Sequence, residues 1–174
     1  MVSSDIKDHL ERYWKICREF FGRGDFALAS FLSITLIEEI GKIVILGNRE
    51  LSGQLDKKGF RDHKRKYVYA VYTNLLNNSR VSRIYGDQEE RFARWFSEDK
   101  LFEIRNSSLY LELDQNDALV PHKVISRKDA SLLVCIAGEV YAEIQGQFMD
   151  SDANEWQRVI QEVDLFRKEN SNVP

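Results

Sequence analysis

The chain has 174 residues, 43% hydrophobic and 30% charged, a balance that excludes a disordered polypeptide and suits one globular domain spanning 1–174. Its only prolines are Pro121 and Pro174, so residues 1–120 contain none, which argues for helices and against a turn-rich sandwich or barrel. Two cysteines, Cys17 and Cys135, sit in apolar helical patterns without a Cys-x-x-Cys pair, which excludes structural zinc, a redox dithiol and a disulfide framework, and the net charge is −3.

The N-terminus, Met-Val-Ser-Ser-Asp-Ile-Lys-Asp-His, has no apolar core, so no signal peptide is expected and a cytoplasmic protein is. Leu10, Tyr13, Trp14, Cys17, Phe20 and Phe21 recur at helical spacing, and Gly22 and Gly24 end that helix. Asp25 caps the next helix, 26–46, which is apolar nearly all round. Its length could span a bilayer, but Glu38, Glu39 and Lys42 make it a buried helix of a soluble protein. Gly47-Asn48 reads as its stop, and 48–59 as a connector with one helical turn.

A third helix is predicted from about Phe60 to Asn78, with Tyr67, Ala70, Val71, Asn74 and Leu75 on one side. After a connector over 77–87 come a short helix, 88–96, and another from about Lys100 to Leu113. Residues 114–125 form the clearest loop. Ser126 with Asp129 resembles a capping box opening a helix to about Met149. Asp152 with Glu155 repeats that signal before a final helix carrying Trp156, Val159, Ile160, Val163 and Phe166 on its apolar stripe. The fold class is all-α, an up-and-down bundle with short helices in its connectors.

Charge is unevenly placed. Lys57, Lys58, Arg61, Lys64, Arg65, Lys66, Arg80 and Arg83 face a single acid, Asp62, between positions 57 and 83, which makes that segment +7 and the remainder −10. Such a strip attracts RNA through phosphate contacts, or is simply a solvated helix face.

Three constellations carry chemistry. In Glu38-Glu39-Ile40-Gly41-Lys42, Glu38 and Lys42 are four apart, in the favourable order for an ion pair. Glu39 lies about 100° round the helix, so at least one carboxylate faces a groove and needs a partner there. In Arg61-Asp62-His63-Lys64-Arg65-Lys66, His63 shares a face with Lys66 and Tyr67, and imidazole moves protons near neutral pH. In Arg105-Asn106-Ser107-Ser108-Leu109-Tyr110, an arginine, an amide and a phenol could hold a phosphodiester. Each also has a bland reading: a bundle-organising salt bridge, an inert surface histidine, an ordinary exposed helix face.

Taken together, Glu-Glu-Ile-Gly-Lys in an apolar helix, Phe-Arg-Asp-His-Lys-Arg-Lys about twenty residues on, and Arg-Asn-Ser-Ser-Leu-Tyr-Leu-Glu-Leu-Asp before a loop with Pro121 resemble the AbiV family of abortive-infection proteins in the HEPN superfamily. The resemblance covers roughly residues 20–145. It implies a HEPN-like helical bundle that dimerises and acts against RNA or translation in phage defence. Many HEPN proteins are metal-independent ribonucleases whose arginine and following polar residue precede a histidine. Arg105 and Asn106 match the first two positions, but Tyr110 stands where the histidine would begin to be expected, and tyrosine is a far weaker base near neutral pH.

What the resemblance implies for the residues is therefore split. Arg105 and Lys66 are expected at the phosphate, His63 at the proton, and Asn106 and Tyr110 in positioning. Glu38, Glu39 and Lys42 would orient that shell, Glu39 counting with the catalytic set. Arg61, Lys64, Lys66 and Lys42 are expected to contact RNA. No cofactor and no metal is called for, although Glu38, Glu39, Asp62 and His63 leave a metal hydrolase as a remote reading. RNA, a ribosome or a phage protein are the expected partners, besides a second copy of the chain. Neither a membrane nor DNA is expected. Two other readings stand: a non-catalytic module that halts translation by binding, and a regulatory bundle such as the antitoxin half of a pair.

Overall fold

The computed structural model describes residues 4–74, 79–114, 117–147 and 153–170. Two helices come first, α1 (Ser4–Gly22) and α2 (Phe26–Ser52). Asp25 accepts from the Leu28 N–H at 3.1 Å and starts α2 as the sequence indicated. Gly47-Asn48 does not stop it. A glycine inside a helix costs about 1 kcal/mol, too little on its own to end a long one. The stop is Gly53, whose left-handed φ of 72° lets its N–H reach the Arg49 carbonyl at 2.8 Å.

The single helix expected over 60–78 is broken. Asp56 caps α3 (Lys57–Arg61) by accepting from the Gly59 N–H at 2.8 Å. Asp62 then turns extended, and its carboxylate accepts from the Arg65 N–H at 3.2 Å to start α4 (His63–Asn74). Leu75 and the Asn77–Asn78 signal lie outside the described residues. Part of the connector expected over 77–87 is helical, as α5 (Ser79–Tyr85) followed by a 3-10 turn (Gly86–Gln88).

Next come α6 (Glu89–Ser97) and α7 (Lys100–Ser107). The sequence extended α7 to Leu113, but Ser107 and Ser108 donate their hydroxyls back to the carbonyls of Glu103 and Ile104, at the point where the helix ends. The loop expected over 114–125 instead holds part of a small antiparallel hairpin, β1 (Glu112–Asp114) with β2 (Asp117–Leu119), and a short helix, α8 (Pro121–Val124). The capping box forms as read: the Ser126 hydroxyl accepts from the Asp129 N–H at 3.1 Å and opens α9 (Arg127–Gln147). The last helix is α10 (Ala153–Glu169); Asp152, the cap expected for it, lies outside the described residues.

α2 is the axis of the bundle, flanked by α1, α4 and α9, with α10 packed on α9. Leu10, Trp14, Cys17 and Phe21 of α1, Ile37, Ile40 and Val44 of α2, and Leu133, Ile136 and Val140 of α9 are all buried. Four of the five residues assigned to the α10 stripe are buried too; Trp156 stays 38% exposed. Burial pushes the thiols of Cys17 and Cys135 up to about 12, so both are inert core groups. Among the described residues no helix is long and apolar enough to cross a membrane.

Candidate functional site

Helical spacing on α4 stacks His63, Lys66 and Tyr67 on one ridge, and that ridge faces α2 at Glu38. The approach is close: a methyl group on Gly41 would sit 2.1 Å from the backbone oxygen of Lys66. Only a residue without Cβ lets α4 lie this near α2 and puts these side chains within reach of the Glu38 carboxylate.

Glu38 is 5% exposed and its two oxygens divide the partners between them. Oε1 accepts from the Tyr67 hydroxyl at 2.7 Å and lies 2.8 Å from His63 Nδ1. Oε2 accepts from Lys66 Nζ at 3.2 Å. Arg105 of α7 brings its Nε to 3.4 Å from Oε1, an ionic approach without hydrogen-bonding geometry. The Arg105 guanidinium rests over the ring of Phe31 at 5.2 Å, and the His63 ring stands 5.4 Å from that of Phe102.

Burial alone would raise the carboxyl of Glu38, but hydrogen bonds from Tyr67 and His63 and the Lys66 charge outweigh it and hold the group below the usual glutamate range. The same carboxylate and its burial push the Tyr67 phenol up, so Tyr67 remains a donor. Because a carboxylate only accepts, His63 Nδ1 carries the hydrogen of this contact, and in the neutral ring Nε2 is left with the lone pair. The His63 side chain is 36% exposed. Two cationic side chains, Lys66 and Arg105, stand against the single carboxylate of Glu38. The arrangement is an oriented base beside a cation, fitted to an anionic group with an ionisable proton.

The sequence brought Glu38, His63, Lys66 and Arg105 forward, and the structure gathers all four. The rest are placed differently. Glu39, not Glu38, pairs with Lys42, three residues apart at 2.5 Å and away from this cluster, because Glu38 is turned to α4. Lys66 is buried with its ammonium on Glu38 and is not presented at the surface. Tyr110 lies past the end of α7, 60% exposed; the phenol on Glu38 is Tyr67. Asn106 is half-buried on a neighbouring flank of α7. Arg61 is exposed at the end of α3, and Lys64 bonds to Asp99 at 3.1 Å.

The basic strip is consequently broken up: Arg65 pairs with Asp56, and Arg80 turns inward to Glu139 and Asp164. Among the described residues no three His, Cys, Asp or Glu side chains gather as metal ligands. Of Glu38, Glu39, Asp62 and His63, only Glu38 and His63 meet. Sequence reasoning set Tyr67 on the ridge of His63 and Lys66 but gave it no role at the site.

These features define an all-α helical bundle with one buried carboxylate that His63, Lys66, Tyr67 and Arg105 approach together. The sequence model of the HEPN AbiV family, described as AbiV, matches residues 2–142, and the chain belongs to that family. Membership supports an abortive-infection, HEPN-type role. No curated protein and no solved structure matches the chain.

Proposed function

We propose that this protein is an abortive-infection effector that cleaves RNA without a metal, at the centre formed by Glu38, His63 and Arg105. The observation that carries the reading is the shared oxygen: Glu38 Oε1 lies 2.8 Å from His63 Nδ1 and 3.4 Å from Arg105 Nε. In this mechanism His63 Nε2 removes the proton of a ribose 2′-hydroxyl. The 2′-oxygen attacks the adjacent phosphorus, the bond to the 5′-oxygen breaks, and the imidazolium returns its proton to that leaving oxygen. The products are a 2′,3′-cyclic phosphate and a 5′-hydroxyl. Glu38 fixes the tautomer and stabilises the imidazolium, and Arg105 neutralises charge growing on the phosphoryl oxygens.

Purified protein incubated with cellular RNA in the presence of EDTA should yield cyclic-phosphate ends. His63→Ala and Arg105→Ala should each lower the rate by about 100-fold or more. RNA that stays intact at high protein concentration overturns this reading.

A second reading is favoured by Tyr110, which stands exposed where the HEPN histidine would be expected. On it, the chain stops translation by binding RNA, a ribosome or a phage protein. Salt-sensitive RNA binding without product distinguishes the two. In both readings the working unit is a cytoplasmic homodimer; the dimer is what the family implies, and light scattering tests it.

A further inference from the structure

The flank of α7 that carries Asn106 borders a depression of about 680 Å³ between α6, α7, α8 and the start of α9. That volume is typical of sites for small organic ligands. Its wall nearest the candidate centre is Phe102, 39% exposed, whose ring is the one beside the His63 imidazole. Val124 of α8, 38% exposed, supplies a second apolar surface.

Charge in the depression is already balanced. Arg91 pairs with Asp129 and also lies over Trp95, and Lys100 pairs with Glu103. Four charged linings thus cancel within the protein, which leaves no excess cation to recruit a phosphate. Of the other linings, the Phe102 ring and the Val124 side chain are the exposed apolar ones, and Asn106 adds a carboxamide, which both donates and accepts. A flat, uncharged heterocycle with a hydrogen-bonding edge fits that set: stacking needs only a π-face, and an amide reads an edge. The candidate centre, where Lys66 and Arg105 share the single carboxylate of Glu38, lies on the other side of Phe102. The two sites therefore differ in chemistry as a base differs from the phosphate beside it.

We propose that the depression bounded by Phe102, Asn106 and Val124 is a nucleobase subsite, which holds one base of an RNA strand while the neighbouring phosphate lies at His63 and Arg105. It rests on the RNA reading above and adds what selects the cleaved position. Titration of the full chain with AMP, CMP, GMP and UMP, and with ribose 5-phosphate as a probe lacking a base, tests it by calorimetry or NMR. At least one of the four nucleotides should bind at least tenfold tighter than ribose 5-phosphate. Phe102→Ala removes the stacking surface, and Val124→Trp fills the depression from the α8 side; each should weaken that nucleotide at least tenfold. Both positions are at the surface, so both variants should stay folded.

Four nucleotides that bind no tighter than ribose 5-phosphate overturn the subsite, as does unchanged affinity in both variants. The two readings fail separately. Base-dependent binding lost in both variants, with RNA left uncut, sinks the nuclease and supports the subsite. RNA cut by a protein without base-dependent binding sinks the subsite alone.

Discussion

Glu38 illustrates how one side chain sets both stability and chemistry. Its carboxyl is held below the usual range in the folded chain, so the ionised form stabilises the fold at pH values above that range. This contribution is lost as pH falls through the folded value. Glu38→Gln should remove that part of the acid limb of a stability–pH curve. It should also cost about 3 kcal/mol near neutral pH in urea denaturation, because Lys66 is then left buried without its counter-charge. Tyr67→Phe removes one donor and leaves His63 and Lys66 in place. A loss of about 1 kcal/mol is expected, with acid unfolding beginning at a higher pH than in the parent, since Glu38 then loses one of the bonds that lower it. An acid limb identical in all three proteins would mean that Glu38 does not hold this charge.

At the level of helices, the contact of α2 with α4 rests on Gly41. Alanine is the better helix former by about 1 kcal/mol, so Gly41→Ala would stabilise an isolated helix. Here the added methyl meets the backbone of Lys66, which cannot rotate away, and a net loss of about 2 kcal/mol is expected together with loss of the proposed RNA cleavage. Gly22→Ala, at the end of α1 with nothing within 4 Å, is the control and should be neutral or mildly stabilising by thermal unfolding. The helical pattern of α1, α2, α9 and α10 was legible because long apolar periodicities survive local punctuation. Boundaries were not. Gly47 looks like a stop but the helix runs through it to Gly53, whereas Asp62 breaks α3 from α4 through a capping bond that composition does not announce. The site was legible to the same depth. An acid inside an apolar helix signalled that Glu38 needs partners, and the ridge of His63, Lys66 and Tyr67 was visible in spacing. Which of Glu38 and Glu39 turns inward, and that Tyr67 rather than Tyr110 is the phenol there, depends on how α4 crosses α2, which no local pattern encodes.

Across the whole molecule a second inward-turned acid ties the far helices to the bundle. Glu139 of α9 is fully buried, accepts twice from Arg80 at 3.0 and 3.2 Å, and takes the Tyr85 hydroxyl at 3.1 Å, while Arg80 also reaches Asp164 of α10 at 2.8 Å. It shares its signal with Glu38, an acid in an apolar helix, and the sequence reading passed over it. Arg80→Ala should cost about 3–5 kcal/mol, since it strands a buried carboxylate, and hydrogen exchange should show α5 opening before α2. The centre at Glu38 has a parallel consequence for variation. Because His63, Tyr67 and Arg105 all converge on a single oxygen atom, the loss of one changes what the other two are worth. Combined substitutions at 63, 67 and 105 should be epistatic, with a double change departing from the sum of its two parts. The effect of each change then depends on which neighbour has already gone, so the order in which such changes arise decides which of them persist.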